Sequence, residues 1–598
     1  MATVFLRGTQ LEETATALPL TKPFLWAIGL TFIVAMHFFM PNPGGAGLHL
    51  SFNPPVWIGI SIALGVGFYH MADKRQFRFS KLSIILLICT ILLTIPTFYT
   101  HSTSIESMGR IFGLWAGILL LLVLQQFSFS AKHKQRLLWF ILLAALIEAS
   151  LGYYQYFFIT EGNFWGYDTL TNRPYGIFQQ PNVMASFLAT GLILSGYLLA
   201  RSSNQNSIKR LPSSFICIFS PIFIIPLIFV LGSRTGWLSA IIGSALLLFH
   251  LYKNASLVNT SYWSGGLLLG TLLGFGASLT HSNDFISEKV DLDSPRSYTF
   301  PQAVDMFVEK PLSGYGYGNF ESEYILYTAR QHELDPDYPS GLASMHHPHN
   351  EVLLWAVEGG SITLLAIAIA AIAVCYRIYQ GKSGTRIGLL ALFIPLALHS
   401  QLEYPFYHSA IHWITLIILL YWLDQRTTQY KALPFHTITY TLLRVMSLAL
   451  PILVSLFMVS ALHSNAVLSQ FERSNPRNID ILEQVTNPLV WQTRYEWNIF
   501  NTYLFAGIQT NNADLVQSYI RWSREIIKQT PRPIYYQLLI LAYQRTEQEH
   551  LAQQVKKEAI YLFPKSNFSQ NHIDQLIPLS DKNEAPSLMK ELLSDKVK

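Results

Sequence analysis

Residues 344–360 read SMHHPHNEVLLWAVEGG, so three histidines, an asparagine and a glutamate stand directly before a long apolar run. Three readings fit such a cluster. Imidazole is the commonest metal ligand. However, His-Pro-His in an irregular segment lacks the one-face spacing of HExxH, and no nearby cysteine completes a ligand set. An unperturbed imidazole, with a pKa near ~6.5, also accepts a proton from a hydroxyl around neutral pH, which makes His346, His347 and His349 candidates for a general base. Histidine is, finally, tolerated at a wet helix mouth without any function. Asn350 either orients a substrate or caps the helix that follows, and Glu351 complements the dipole of that helix start.

Other polar residues gather in compact motifs. Arg173 lies in NRPYGIFQQPN, Arg234 in LGSRTGW, Arg296 in the segment that runs to PLSGYGYGNF, and Glu403 in HSQLEYPFYH. A guanidinium stays charged and grips phosphate oxygens through a planar fork, so arginines grouped on one membrane face suit a pyrophosphate whose lipid tail lies in the bilayer. Pairing with acids or snorkelling to headgroups is the structural alternative. Gly314, Gly316 and Gly318 follow no βαβ strand and precede no P-loop lysine, which weakens a phosphate-cradle reading. Tyr315, Tyr317 and Phe320 beside them either offer faces to sugar rings or pack on the membrane surface.

The elements that must position these residues are membrane helices. The 598-residue chain is 51% hydrophobic and only 13% charged, with mean hydropathy +0.30, whereas soluble domains are about 25% charged. Apolar runs of about 20 residues recur, each long enough to span a bilayer. About thirteen spans are expected, near 24–40, 55–71, 82–99, 107–127, 136–158, 183–200, 213–231, 235–251, 262–280, 351–377, 384–402, 405–424 and 436–463. The first is read as a retained span, since no small-residue cleavage site follows. Cys89, Cys217 and Cys375 fall inside apolar runs as packing residues, with no disulfide framework. A net charge of +5 set by loops points to no nucleic-acid partner.

Every even-numbered exit is basic, with Lys74, Arg75, Arg78 and Lys81 after the second span, then Lys132, Lys134 and Arg136, then Arg201, Lys209 and Arg210, and so on to Arg426 and Lys431. Residues 41–54 and 100–108 contain no Lys or Arg, and the few charges of the short outer loops fall in compact motifs. The positive-inside bias therefore places the N-terminus and even loops in the cytoplasm, and the odd loops and the tail outside, in the periplasm of a bacterium. On this reading residues 1–463 form the membrane domain, with a long periplasmic loop at 281–350, and residues 464–598 form a helical periplasmic domain. Within the spans Arg110 and Glu148 are the visible charges; Glu106, one helical turn from Arg110, is its expected partner.

In combination, R…GxFxQPN, SRTGW, the Arg296 segment ending in GYGYGNF, HPHNEVLLWAVEGG and EYPF resemble the bacterial O-antigen ligase superfamily. Within it the chain is most similar to the pilin-glycosylating protein O-oligosaccharyltransferases of the PglL type. The likeness covers about residues 150–430 by motif, and Phe300 stands near where a Trp is usual. The resemblance implies an all-α, GT-C-like membrane glycosyltransferase of the bacterial inner membrane, inverting and independent of metal or other cofactor. It implies an undecaprenyl-pyrophosphate-linked oligosaccharide as donor and a Ser or Thr hydroxyl of a periplasmic protein, such as pilin, as acceptor. It assigns His349 as catalytic base and Arg173, Arg234 and Arg296 to the pyrophosphate. Gln179, Asn182, His346, Asn350, Glu403, Tyr404, Tyr315 and Tyr317 would line the site. The rivals are an O-antigen ligase acting on lipid A core, an O-antigen polymerase, and a transporter or flippase. A transporter usually carries its ionisable residues at mid-membrane, whereas here they collect at one face.

Overall fold

The computed structural model describes residues 20–202, 211–280, 295–426, 428–475 and 477–576. The N-terminal segment, Lys209, Arg210, loop residues 281–294 and the tail beyond 576 lie outside the described residues. The first half of the chain builds α1 (Thr21–Ile33), α2 (Asn53–Lys74), α3 (Lys81–Thr94), α4 (Ser104–Leu124), α5 (Ala131–Phe158), α6 (Pro181–Ser202), α7 (Leu211–Leu231), α8 (Arg234–Asn254) and α9 (Leu257–Thr280). The long loop before residue 350 adds α10 (Arg296–Glu309) and α11 (Phe320–Leu334). Then follow α12 (Glu351–Gly359), α13 (Ser361–Gln380), α14 (Arg386–Leu402), the single turn α15 (Pro405–His408), α16 (Ala410–Asp424) and the long α17 (Thr437–Arg473). The only strands among the described residues are β1 (Gln76–Phe79) and β2 (Lys431–Pro434), an antiparallel ribbon with Gln76 opposite Pro434.

Among the described residues nine helices are long and apolar enough to cross a membrane, and the apolar stretches at Thr21–His37, Arg386–Leu402 and Ala410–Asp424 are shorter. This is an all-α, multi-pass membrane protein. α6 sits at its centre, with its whole apolar window buried among α5, α7, α8 and α14. Gly196 permits that packing, since a Cβ there would come within 2.6 Å of Leu247 and 2.9 Å of Trp263. α17, by contrast, leans on α2 and turns Ile438, Leu442, Leu448 and Leu456 outward. Water would penalise such a stripe by about 25 cal/mol per Å² of apolar surface, and acyl chains do not. Cys89 and Cys217 are buried as expected of packing residues, whereas Cys375 lies on the exposed side of α13.

The structure redraws two expected spans. The run 351–377 is broken into α12 and α13 at Gly360, whose φ of 71° and ψ of −162° suit no L side chain. A Cβ at Gly360 would lie 2.3 Å from the Leu312 carbonyl oxygen, and the adjacent Ser361 amide donates to the Pro311 carbonyl at 2.7 Å. Gly360→Ala is expected to lose about 1–3 kcal/mol of stability or more, seen as a lower melting temperature of the detergent-solubilised protein. The run 405–424 is likewise divided, because the chain turns at Ser409 between α15 and α16.

The tail continues as α18 (Gln492–Thr510), α19 (Ala513–Gln529), α20 (Pro533–Arg545), α21 (Glu549–Leu562) and α22 (Gln570–Gln575). α18 packs on α19, α19 on α20 and α20 on α21, and α22 returns to α20; the strong amphipathicity of α19 directs Val516, Tyr519, Ile520 and Ile526 inward. The long loop that carries α10 and α11 shares this core. Ala303, Tyr324 and Ile325 of the loop cluster with Tyr519, Leu539 and Ala559 of the tail. A bidentate pair, Arg532 Nε to Glu321 Oε1 at 2.7 Å and Nη2 to Oε2 at 3.1 Å, joins α11 to the start of α20.

Candidate active site

Glu403 is the hub of the site. It follows α14 directly, is buried, and its two oxygens have separate partners. Oε2 meets His349 Nδ1 at 2.7 Å. Oε1 accepts from Asn182 Nδ2 at 3.1 Å and from the Arg296 guanidinium. Burial pushes the Glu403 carboxyl up, but the hydrogen bond and charge of His349 and the charge of Arg296 overcome it and hold the group at about 2. A permanent carboxylate on Nδ1 fixes the ring of His349 and leaves Nε2 as the nitrogen that can take a proton.

The three histidines separate by environment. His346 is exposed. His347 is buried, and its Nδ1 accepts the His349 amide at 2.9 Å. Burial, then the neighbouring His349 and His346, push His347 well below its ordinary value. His349 alone is both half-exposed and paired with a carboxylate. Its φ of 53° is left-handed, as are Gln179 at 56° and Asn172 at 40°, and such strained non-glycine residues persist where surrounding structure fixes them. Tyr404 packs on the whole cluster, its ring 4.3 Å from His347, 5.3 Å from His349 and 5.9 Å from His346.

Arg173 and Arg234 flank one turn. Arg173 Nε donates to the Leu231 carbonyl at 2.6 Å, and its Nη2 lies 3.5 Å from both Asn182 Oδ1 and the Gly232 carbonyl. Burial lowers Arg173 to about 10 against the pull of Glu403, so it remains a cation at neutral pH. Arg234 is the first residue of α8, after Ser233, whose hydroxyl accepts the Gly236 amide at 3.1 Å. Arg296 likewise opens α10. A cation at a helix N-terminus opposes the macrodipole, so neither arginine is placed for helix stability. α6 and α12 also begin here, α6 with Asn182 in its first turn and α12 with Asn350. The first turns of α6, α8, α10 and α12 thus gather around Glu403 and Arg173, a setting that favours an anion.

The neighbours explain how the loops are held. Asn350 is the N-cap of α12, accepting the Leu353 amide at 3.0 Å and donating to the Gln401 carbonyl at 3.0 Å. Gln179 follows Phe178, whose carbonyl meets His408 Nε2 at 2.9 Å. Beneath them, Gln155 Oε1 accepts the Tyr175 and Gly176 amides at 3.0 and 2.8 Å, and Glu148 Oε2 accepts the Ile177 amide at 3.1 Å. Sequence reasoning noted Glu148 without a role and passed over Gln155. Two polar residues seven apart on one face of an otherwise apolar helix were the available signal.

Two expectations need correction. Tyr315 and Tyr317 do not present faces to a sugar; they are 4% and 0% exposed. The Tyr315 hydroxyl donates to Glu309 at 3.1 Å and that of Tyr317 to the Leu93 carbonyl at 2.6 Å, so the loop glycines turn these rings inward as packing. Arg110 pairs with Glu358 and lies over the rings of Tyr317 and Trp355; the side chain of Glu106, its expected partner, lies outside the described residues. Glu351 does more than complement a dipole, because its Oε1 accepts the Phe406 and Tyr407 amides at 3.1 and 3.2 Å.

Burial raises the Glu351 carboxyl to about 7 from its ordinary 4.5, despite those amides. A folded value above the unfolded one stabilises the fold fully below the unfolded value, and the contribution is lost as pH rises through about 7. The difference in melting temperature between wild type and Glu351→Gln is therefore expected to shift against wild type from pH 5 to pH 8. Parallel curves would assign the group an ordinary value.

With this geometry in place, comparisons with known proteins agree with the motifs. A family model described as protein glycosylation ligase matches residues 174–199, one described as O-antigen ligase matches 219–368, and one described as virulence factor membrane-bound polymerase, C-terminal, matches 387–577. Gln179 and Asn182 fall in the first, Arg234, Arg296 and His349 in the second, and Glu403 and Tyr404 in the third. The chain thus resembles the bacterial O-antigen ligase superfamily, as its motifs implied. More particularly, it is similar to two proteins of Acinetobacter baylyi. One is a ComP-specific O-oligosaccharyltransferase, 22% identical over 46% of this chain and 48% of the relative. The other is a general O-oligosaccharyltransferase, 23% identical over 52% and 54%. The chain spans about half the length of these curated relatives.

Proposed function

We propose that this protein is an O-oligosaccharyltransferase of the bacterial inner membrane, moving an oligosaccharide from undecaprenyl pyrophosphate to a Ser or Thr hydroxyl of a periplasmic protein such as a pilin. The observation that carries the reading is the Glu403 hub, which joins a half-exposed His349 to Arg296, Asn182 and, through Asn182, Arg173. His349 Nε2 takes the hydroxyl proton as the oxygen attacks the anomeric carbon. The new C–O bond forms on the face opposite the departing pyrophosphate, so configuration inverts. Pyrophosphate leaves with the electron pair of the broken C–O bond, and Arg173, Arg234 and Arg296 are placed to stabilise its growing charge. Good leaving-group chemistry makes a general acid dispensable, whereas a neutral hydroxyl gains about 10²–10⁴ in rate from a base.

Topology follows the same reading. The basic loops lie in the cytoplasm and the site and tail in the periplasm, where the tail, sharing a core with the outer loop, is placed to dock an acceptor. The O-antigen ligase match over 219–368 favours lipid A core as the second acceptor class. Membranes containing the protein and a radiolabelled lipid-pyrophosphate-linked oligosaccharide, offered pilin and lipid A core together, separate the two. Label is expected on pilin; label on lipid A core alone would make the protein a ligase.

A further inference from the structure

The end of the bundle remote from His349 holds a cavity of about 1410 Å³. Asn182 and Arg201 lie at opposite ends of α6, so the two regions are about 28 Å apart by helix rise. Lys81, Lys134, Lys382 and Lys431 contribute ammonium groups to the cavity wall, and Arg201, Arg377 and Arg426 contribute guanidinium groups. These seven cations come from separate segments of the chain, and among the described residues no Asp or Glu lines the space. The carboxylate of Asp424 is fully buried, 3.4 Å from Arg377 and 3.0 Å from Gln125 and Thr428. It offsets one cation of the seven.

The cationic side chains are anchored as well as gathered. Arg201 and Arg426 both lie over Trp422, 5.0 and 5.2 Å from its centroid. Arg426 also donates to the Tyr197 hydroxyl at 2.8 Å, and Lys134 donates to Gln425 at 2.8 Å. A positive-inside bias accounts for basic loops in water. It does not account for guanidinium groups held together around one space, where mutual repulsion costs energy until an anion enters. Phe79, Ile84, Ile85 and Leu389 add apolar lining to the cationic one, which suits an amphiphilic ligand. We propose that this cavity is a binding site for a phosphate-bearing anion, and specifically for the headgroup of an anionic phospholipid whose chains run along Ile84, Ile85 and Leu389.

The full-length protein in mixed micelles of phosphatidylglycerol and phosphatidylethanolamine, equal in amount and matched in chains, tests this by mass spectrometry of the retained lipid. Wild type is expected to retain phosphatidylglycerol selectively. Lys81→Gln/Lys382→Gln, which touches none of the anchored arginines, is expected to weaken retention ~30-fold, about fivefold per cation. A parallel arm adds sodium pyrophosphate to the lipid-free protein. Thermal stabilisation there that fails in the variant, without lipid selectivity, would keep the phosphate site and make its source a soluble anion. Equal retention of both lipids with no response to pyrophosphate, or selectivity unchanged in the variant, would overturn the proposal.

Discussion

Replacing His349 with alanine is expected to lower glycan transfer by about 10²–10⁴-fold while the protein still folds and inserts. The fold is insulated from the change because His349 is half-exposed and its side chain contributes one hydrogen bond, to Glu403. Its backbone amide, which donates to His347, is retained. Initial rates with saturating donor, beside the melting temperature, check both halves. His347→Ala is a useful contrast. That ring is buried against Tyr404, so its loss should act on stability first.

The second large effect is expected at Glu403. In Glu403→Gln the side-chain amide can donate to His349 Nδ1, which moves the ring proton to Nε2 and removes the base. In triads of this type the corresponding change costs about 10⁴ in rate, and a loss of 10²–10⁴ is expected here. Glu403→Ala should lose as much activity and some stability in addition. Breaking a buried ion pair from one side costs about 3–5 kcal/mol, less here because the Arg296 side chain is 32% exposed and can rehydrate. Since Glu403 acts through His349, the double variant His349→Ala/Glu403→Gln should be no slower than His349→Ala. A further tenfold loss in the double variant would give Glu403 an independent role, such as holding Arg296 against the donor.

Much of this site was legible in the sequence because a membrane chain confines its polar residues. Arg173, Arg296, His349 and Glu403 stood out as charges at the ends of apolar runs, and the bilayer leaves few reasons to keep them there. What the sequence concealed was pairing. Glu403 reaches His349 across 54 residues and Arg296 across 107, and Arg110 finds Glu358 across 248. No local rule anticipates such contacts, and the i,i+4 rule, which looks one turn along the helix, does not reach Glu358. Tyr315 and Tyr317 were misread because a glycine-rich loop is normally open to solvent, whereas here it folds back on Glu358 and Leu93. The break at Gly360 was available in the Gly-Gly pair at 359–360, but the helical run on either side was the stronger signal.

The most direct measurement is the intact mass of a pilin co-expressed with this protein and a lipid-linked glycan pathway, in a host lacking its own transferase. Wild type and His349→Ala would be run side by side, with insertion of each verified. The account predicts a glycan-sized increase in pilin mass with wild type that is absent with His349→Ala. An unshifted pilin with wild type inserted and donor present, or an equal shift with the variant, would contradict it.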